Sequence, residues 1–244
     1  MNHTQQKSIS VFFPCYNDAK SIRRLVLDAQ KTLAGLVKDW EIIVVNDGST
    51  DNSLDVLKNL CVTTPQLKVV NHQQNMGYGA ALRSGFNAAS KSLVFYTDGD
   101  GQYDAKELAV LVPLMTNEID FVNGIKISRK DPTYRIFLGN WYSLVARWLF
   151  WLPIYDVDCD FRLIRRTVLN KIILISSSGS ICIELVKKAE QAGARFRQVS
   201  VHHFERKHGQ SQFFRLHRLL FTLIEVVRLY IGLIIIPLSR RVFC

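Results

Sequence analysis

Strand-like and helix-like patterns alternate from Ser8 to Asn123, and that alternation leaves few folds open. Ser8–Phe13, Trp40–Val45, Leu67–Val70, Ser92–Tyr96 and Asp120–Asn123 are short apolar runs of the kind that form buried strands. Between them lie helical patterns. Ala19 to Lys38 carries Ile22, Leu25, Val26, Ala29, Leu33 and Leu36 on one face. Leu54, Leu57 and Leu60 mark a second helix, Gly77 to Ala89 a helix of small residues, and Ala105 to Met115 a fourth. Strand–helix alternation over about 120 residues predicts an α/β fold, a Rossmann-like, mostly parallel sheet flanked by helices. Pro14 is expected to break the first strand.

Sheets of this kind bind ligands beyond the carboxyl ends of their strands. Three polar clusters fall there: Asn17/Asp18, Asn46/Asp47 and Asp98/Asp100. In the run Asp98-Gly99-Asp100-Gly101-Gln102, two carboxylates and a carboxamide stand at alternate positions. Hard oxygen ligands suit Mg²⁺ or Mn²⁺, and either ion suits a diphosphate. The same run also reads as an acidic β-turn with glycine at its sharp points. Gly77 and Gly79 let backbone come close to a ligand. Arg83, one turn later, faces a diphosphate in one reading and solvent in the other.

The 244 residues carry a net charge of +10, with 48% hydrophobic and 21% charged residues, which excludes a disordered chain. Nine Arg and Lys against two Glu fall after position 194, so the basic end implies an anionic partner. A polynucleotide fits poorly, because carboxylates at the ligand edge would repel it and no nucleic-acid-binding motif is present; no nucleic acid is expected. The five cysteines are scattered, without a CxxC pair, which speaks against a zinc site or a disulfide framework. The first residues lack an apolar core, so no signal peptide is expected and the cytosol is the predicted compartment.

After Asp131-Pro132 the character changes. Tyr134 to Leu152 is a helix with Phe137, Trp141, Tyr142, Trp148, Phe150 and Trp151, either packed on the sheet or turned to a groove or membrane. Phe161–Ile164 and Arg195–Phe204 read as late strands, with a helix from Ile181 to Gln191 between them. The last segment is helical, with Arg215, Arg218, Glu225 and Arg228 on one arc and Leu220, Leu223, Ile224 and Val227 away from it. Its uncharged run, Leu229 to Ser239, is shorter than the roughly 20 residues of a bilayer span. A window opened at Leu219 takes in Glu225 and Arg228, each costly at a bilayer centre. An interfacial helix with basic residues at the headgroups is expected, with a core or dimer helix as the alternative. The division is then 1–212 as one α/β domain and 213–244 as a basic amphipathic tail.

Taken in order, Phe13-Pro14-Cys15-Tyr16-Asn17-Asp18, Val45-Asn46-Asp47-Gly48-Ser49-Thr50-Asp51, Asn75-x-Gly77-x-Gly79-x-Ala81 and Asp98-Gly99-Asp100-Gly101-Gln102-Tyr103 resemble the family 2 glycosyltransferases, which have the GT-A fold. Asp156-x-x-x-x-Phe161-Arg162-Leu163 and His203-Phe204-x-Arg206-x-x-Gly209-x-Ser211 resemble the branch of dolichyl-phosphate mannose synthase and bacterial polyprenyl-phosphate sugar transferases. The likeness covers about residues 8–212. It implies a nucleotide-sugar donor, a divalent metal, and sugar transfer with inversion, often to a polyprenyl phosphate at the cytoplasmic face of the membrane.

By that resemblance Pro14, Tyr16, Asp18 and Asp47 hold the nucleotide. Asp98, Gly99, Asp100 and Gln102 serve the metal and donor sugar, with Asp98, Asp100 and Gln102 as metal ligands. Arg83, Lys126 and Arg206 meet the donor phosphates, and Arg129 and Arg135 the acceptor phosphate. Lys126 stands where relatives often have Arg, and Gln212 where they commonly have a basic residue. Asp156 matches a family position, crowded by Asp158 and Asp160. Glu184 falls where hydroxyl-directed relatives keep a catalytic acid residue, or is a helix N-terminal charge favoured by the dipole. Two other functions compete: the same fold acting on a glycan or small-molecule hydroxyl, and a non-catalytic nucleotide-binding module. A homo-oligomer or a membrane partner protein is left open.

Overall fold

The computed structural model describes residues 7–128, 133–206 and 216–237, without the side chains of residues 135 and 216–218. Among these residues one sheet of seven strands forms: β1 (Ser8–Cys15), β2 (Asp39–Asp47), β3 (Leu67–His72), β4 (Leu93–Thr97), β5 (Phe121–Ile127), β6 (Phe161–Arg165) and β7 (Phe196–His202). Their spatial order is β3-β2-β1-β4-β6-β5-β7. β6 pairs antiparallel with β4 and β5, and every other pairing is parallel. The chain leaves β1 toward β2 and β3, then returns to lay β4 on the other side of β1. That reversal makes the crevice between the ends of β1 and β4 the topological switch point.

The apolar runs are continuous because both faces of the sheet are covered. Val11 and Phe13 of β1, with Ile42 and Val44 of β2, face Ile22, Val26 and Leu33 of α1 (Ala19–Leu36), Leu57 of α2 (Ser53–Thr63) and Leu111 of α4 (Leu108–Leu114). Phe12, Ile43 and Val45 point the other way. They join Leu82 and Phe86 of α3 (Tyr78–Ala88), Ala146 and Phe150 of α5 (Thr133–Phe150), Val168 of the short α6 (Arg166–Leu169), and Ile181 and Leu185 of α7 (Ile181–Gln191). Strict alternation of direction along each strand thus fills two cores from one stretch of sequence.

Two strands run further than their patterns suggest. β1 continues through Pro14 to Cys15, opposite Val45 and Asn46, where pairing with β4 has already ended at Phe12↔Tyr96. The imino nitrogen therefore breaks no ladder there, and the Pro14 carbonyl accepts from Gly99 N at 3.2 Å. β5 extends to Ile127 because β7 pairs with it up to His202. Lys126 is consequently a strand residue.

The segment expected as a separate tail is described from 216 to 237. It forms α8 (Leu216–Tyr230) and a π-helical turn, Ile231–Ile235. Leu229 and Ile234 are buried in the second core, and the Tyr230 ring meets Phe150 edge-on at 5.7 Å. The helix is docked on the domain by this face. Leu220, Leu223, Ile224 and Val227 remain exposed, as do Phe137, Trp141, Leu144 and Trp148 of α5.

Candidate active site

The loops after β1 and β4 and the segment before β6 all arrive at the switch-point edge. β6 starts there because it runs backwards, with Phe161 opposite Thr97. After β1, Asn17 takes a left-handed φ of 58°, which asparagine tolerates. Its side-chain oxygen accepts from Thr50 N at 2.7 Å, tying this loop to the one after β2. Asp18 then opens α1. After β4, Gly99 passes so close to the end of β1 that a Cβ there would lie 2.4 Å from the Pro14 carbonyl oxygen. Only glycine fits the two loops together, which sets Asp100 beside Asp18.

Asp98 accepts a hydrogen bond from the Tyr78 hydroxyl at 2.8 Å. Burial pushes its carboxyl well above the usual carboxylate range, and the charges of Asp160 and Asp100 push further. Asp100 Oδ1 accepts from Gln102 N at 3.0 Å, and its Oδ2 lies 3.5 Å from Arg206 Nη1. Arg206 also donates from Nη2 to Asp18 Oδ1 at 3.0 Å. Burial raises the Asp18 carboxyl to about 6; Arg206 offsets part of this and Asp100 adds to it. Burial is the main cause of both shifts, and the neighbouring carboxylates add to it.

Gln102 joins the acidic run to the segment after β7 that carries Arg206. Its backbone oxygen accepts from Phe204 N at 2.8 Å, and its Nε2 donates to the Phe204 carbonyl at 3.1 Å. Asp160 lies behind Asp98. Its Oδ1 accepts from the Tyr96 hydroxyl at 3.1 Å and from the Cys182 thiol at 3.2 Å. Arg162, fully buried in β6, donates to Tyr96 Oη at 2.9 Å, Asn123 Oδ1 at 2.9 Å and the carbonyls of Cys159 and Val157.

The donor set fits a divalent cation. Among the described residues no three His, Cys, Asp or Glu side chains are placed to ligate one ion together. Magnesium-type sites beside phosphates use one or two carboxylates and take their other oxygens from substrate and water. Asp98 and Asp100 would supply those carboxylates, and Gln102, two residues on, a carboxamide oxygen.

Several residues expected in the site are engaged by other protein groups. Asp47 accepts at Oδ1 from Met76 N at 2.9 Å and at Oδ2 from Gly77 N at 3.0 Å, and contacts His72 Nδ1 at 2.7 Å. It shapes the loop before α3. Arg83 donates from Nη1 to the carbonyls of Ile175 and Ser176, in a cavity lined by Phe86, Asn87 and Arg166, and is not brought to the carboxylates. Lys126 Nζ binds the Asp158 carboxylate at 2.9 Å and its carbonyl at 2.6 Å, and lies 3.7 Å from Asp156. Glu184 is buried, accepting from Ile175 N and Ser176 N at 3.0 and 2.8 Å and from Lys188 Nζ at 2.6 Å. It holds a loop and is not brought to the cluster. Tyr16 is half-buried beside Asp18, its N–H on Asp18 Oδ2 at 3.3 Å. Arg129 lies outside the described residues, as does the side chain of Arg135.

The sequence motifs assign no site role to Tyr78, Asp160 or Arg162. Asp160 sits in the acidic run Asp156–Asp160, a visible signal without a direction. Tyr78 carries no local signal, since its partner is 20 residues away.

A seven-stranded sheet with one reversed strand and carboxylates at its switch point defines the GT-A class. Residues 10–173 match the profile of Glycosyl transferase family 2, and the chain belongs to that family. It is 29% identical over 222 residues to an undecaprenyl-phosphate 4-deoxy-4-formamido-L-arabinose transferase of Pseudomonas syringae pv. syringae (strain B728a), covering 89% of this chain and 65% of that one. It is 27% identical over 229 residues to a dodecaprenyl-phosphate galacturonate synthase of Rhizobium johnstonii (strain DSM 114642 / LMG 32736 / 3841), covering 91% and 67%. The chain thus spans about two thirds of the length of these relatives. Glucosyl-3-phosphoglycerate synthase from Mycobacterium tuberculosis, in complex with Mn²⁺ and UDP-glucose, superposes with a TM-score of 0.68 at 19% identity, over 93% of this chain and 80% of that one. That likeness carries the fold.

Proposed function

We propose that this chain transfers a sugar from a nucleoside-diphosphate sugar to a polyprenyl phosphate at the cytoplasmic membrane surface, with inversion at C1 and with Mg²⁺ or Mn²⁺. The convergence of Asp18 and Asp100 on Arg206 at the switch point, with the buried Asp98 next to Asp100, carries this reading. The names of the relatives support the acceptor class.

Asp98, Asp100 and Gln102 would hold the cation, which when bound neutralises charge on the diphosphate. Asp18 and Tyr16 lie where the nucleoside enters. Arg206 gives the diphosphate a planar fork of donors. An acceptor phosphate oxygen attacks C1 as the bond from C1 to the diphosphate oxygen breaks, and the nucleoside diphosphate leaves. Placing these two groups in line supplies much of the rate.

The acceptor phosphate has a second pKa of about 6 and is largely ionised at neutral pH, so no strong base is required. Glu184, the base that a hydroxyl acceptor would have required at that position, has its oxygens filled by two backbone N–H groups and Lys188. This favours a phosphate over a hydroxyl acceptor. Arg129 and Arg135 remain the proposed acceptor-phosphate contacts.

No helix among the described residues is long and apolar enough to cross a membrane. The exposed Trp141 and Trp148 of α5, together with the apolar outer face of α8 and with Arg147 and Arg228 on these two helices, suit an interfacial contact. The test is sugar transfer on vesicles containing polyprenyl phosphate, with Mn²⁺ and a panel of UDP-, GDP- and dTDP-sugars. Product on the lipid and co-sedimentation with anionic vesicles are expected. Transfer to free sugar hydroxyls alone, with the lipid phosphate inert, would sink the reading.

A further inference from the structure

Glu225 is a carboxylate in the middle of an apolar helix. From α8 it reaches the serine-rich segment that leads into α7. Oε1 accepts from Ser177 N at 2.9 Å, and Oε2 accepts from Ser178 N at 2.9 Å and from Ser180 Oγ at 2.7 Å. Burial opposes ionisation of this carboxyl, yet these donors hold it below the usual glutamate range. The amino end of α7 adds its favourable dipole. The helix α8 is therefore held at a three-donor socket as well as by its apolar face.

The other side of that socket supports the candidate site. The Ser177 carbonyl accepts from Gly79 N at 2.9 Å. The contact with the first turn of α3 is tight: a Cβ on Gly79 would lie 2.3 Å from the Ser176 oxygen, and one on Gly77 2.7 Å from the Ser177 oxygen. Between those glycines stands Tyr78, whose hydroxyl is on Asp98. In the first turn of α7, the Cys182 thiol is on Asp160. Both supports of the buried carboxylates lean on residues that Glu225 holds in place.

We propose that Glu225 is a positioning residue of the donor site. Its carboxylate fixes residues 177–180 against the start of α3, which sets Tyr78 on Asp98, so nucleotide affinity depends on α8 being docked. The proposal rests on the reading of the cluster as a nucleoside-diphosphate site, and it adds a role for the tail helix in donor binding.

The test is a double-mutant cycle in the full chain, read as calorimetric binding of UDP, GDP or dTDP with Mn²⁺, using the nucleotide that the unmodified protein binds best. Glu225→Gln weakens binding about tenfold, the scale of losing a charged acceptor for several donors. Tyr78→Phe weakens it too, and the double variant loses no more than the larger single loss, because both act through one contact. Ser180→Ala removes one donor and keeps the carboxylate; it costs roughly twofold to threefold, and stands in if Glu225→Gln does not fold. Unchanged binding in Glu225→Gln, or in Ser180→Ala where it stands in, overturns the proposal. So do losses that add in the double variant, which would indicate a general structural effect. An unmodified protein that binds none of the three nucleotides overturns the glycosyl-transfer reading itself, and the proposal with it.

Discussion

Arg206 donates to Asp18 at 3.0 Å across 188 residues of chain, joining the loop after the last strand to the loop after the first. The same guanidinium lies 3.5 Å from Asp100. It is a positive group between two carboxylates of the cluster, on a segment whose backbone is itself pinned to Gln102 through Phe204.

Removing that group should cost catalysis more than stability. Arg206→Ala is expected to lower turnover about a hundredfold, the scale of one lost transition-state donor. Arg206→Lys should recover part of it, since an ammonium restores charge without the fork. Steady-state transfer rates beside thermal unfolding curves check this. Equal losses in both variants would show that charge alone does not matter there.

Asp100 is the carboxylate that faces Arg206 in the loop after β4. Asp100→Asn keeps the size of the side chain and removes its charge. Turnover should fall by roughly a hundredfold or more and lose its response to added Mn²⁺, while the circular dichroism spectrum is unchanged. A variant with the metal response of the unmodified protein would show the run to be only an acidic turn.

Arg162 is fully buried with acceptors around its guanidinium, and Asp160 lies 3.9 Å from Nη2. Arg162→Met leaves those acceptors and Asp160 without their donor. Destabilisation of about 3–5 kcal/mol is expected by urea unfolding. A loss below about 1 kcal/mol would mean that the surroundings relax or admit water.

Glu41 gives a pH signature remote from the site. Burial opposes its ionisation, but Lys68 Nζ at 2.6 Å, Ser10 Oγ at 2.6 Å and the Ser90 N–H and hydroxyl outweigh it, holding its pKa near 2. The unfolded chain binds that proton near the ordinary value of 4.5, so between about 4.5 and 2 the unfolded state carries more protons. Stability from Glu41 is therefore complete above pH 4.5 and is lost as pH falls toward 2. Glu41→Gln should lower stability at pH 7 and flatten the pH dependence in that window. Denaturant midpoints measured from pH 2 to 7 read both effects.

The legible part of the site was the part written locally. Asp98-Gly99-Asp100-Gly101-Gln102 and Asn17-Asp18 each follow an apolar strand run, and strand ends in a parallel sheet share one edge. The use each carboxylate is put to was not legible. Asp47 and Glu184 have the same chemistry as Asp18 and Asp98, yet backbone N–H groups occupy them. The donors to Asp47 lie about 30 residues on and those to Glu184 in the loop just before its helix, and nothing in residue type announces either. Glu225 shows the same limit: it read as a costly charge on an amphipathic helix, and its partners are 45 to 48 residues away.

By itself the sequence determined the α/β alternation, the covered sheet and the edge where ligands bind, because side-chain periods of two and 3.6 residues are local properties. The ordered motifs also determined the family. Only the tertiary structure decided that β6 runs backwards and brings Asp160 behind Asp98, that Arg206 returns over Asp18, and that α8 plugs the start of α7. Each of these depends on strand order and helix docking. The contacts close between segments far apart in sequence, where no local pattern records the partner.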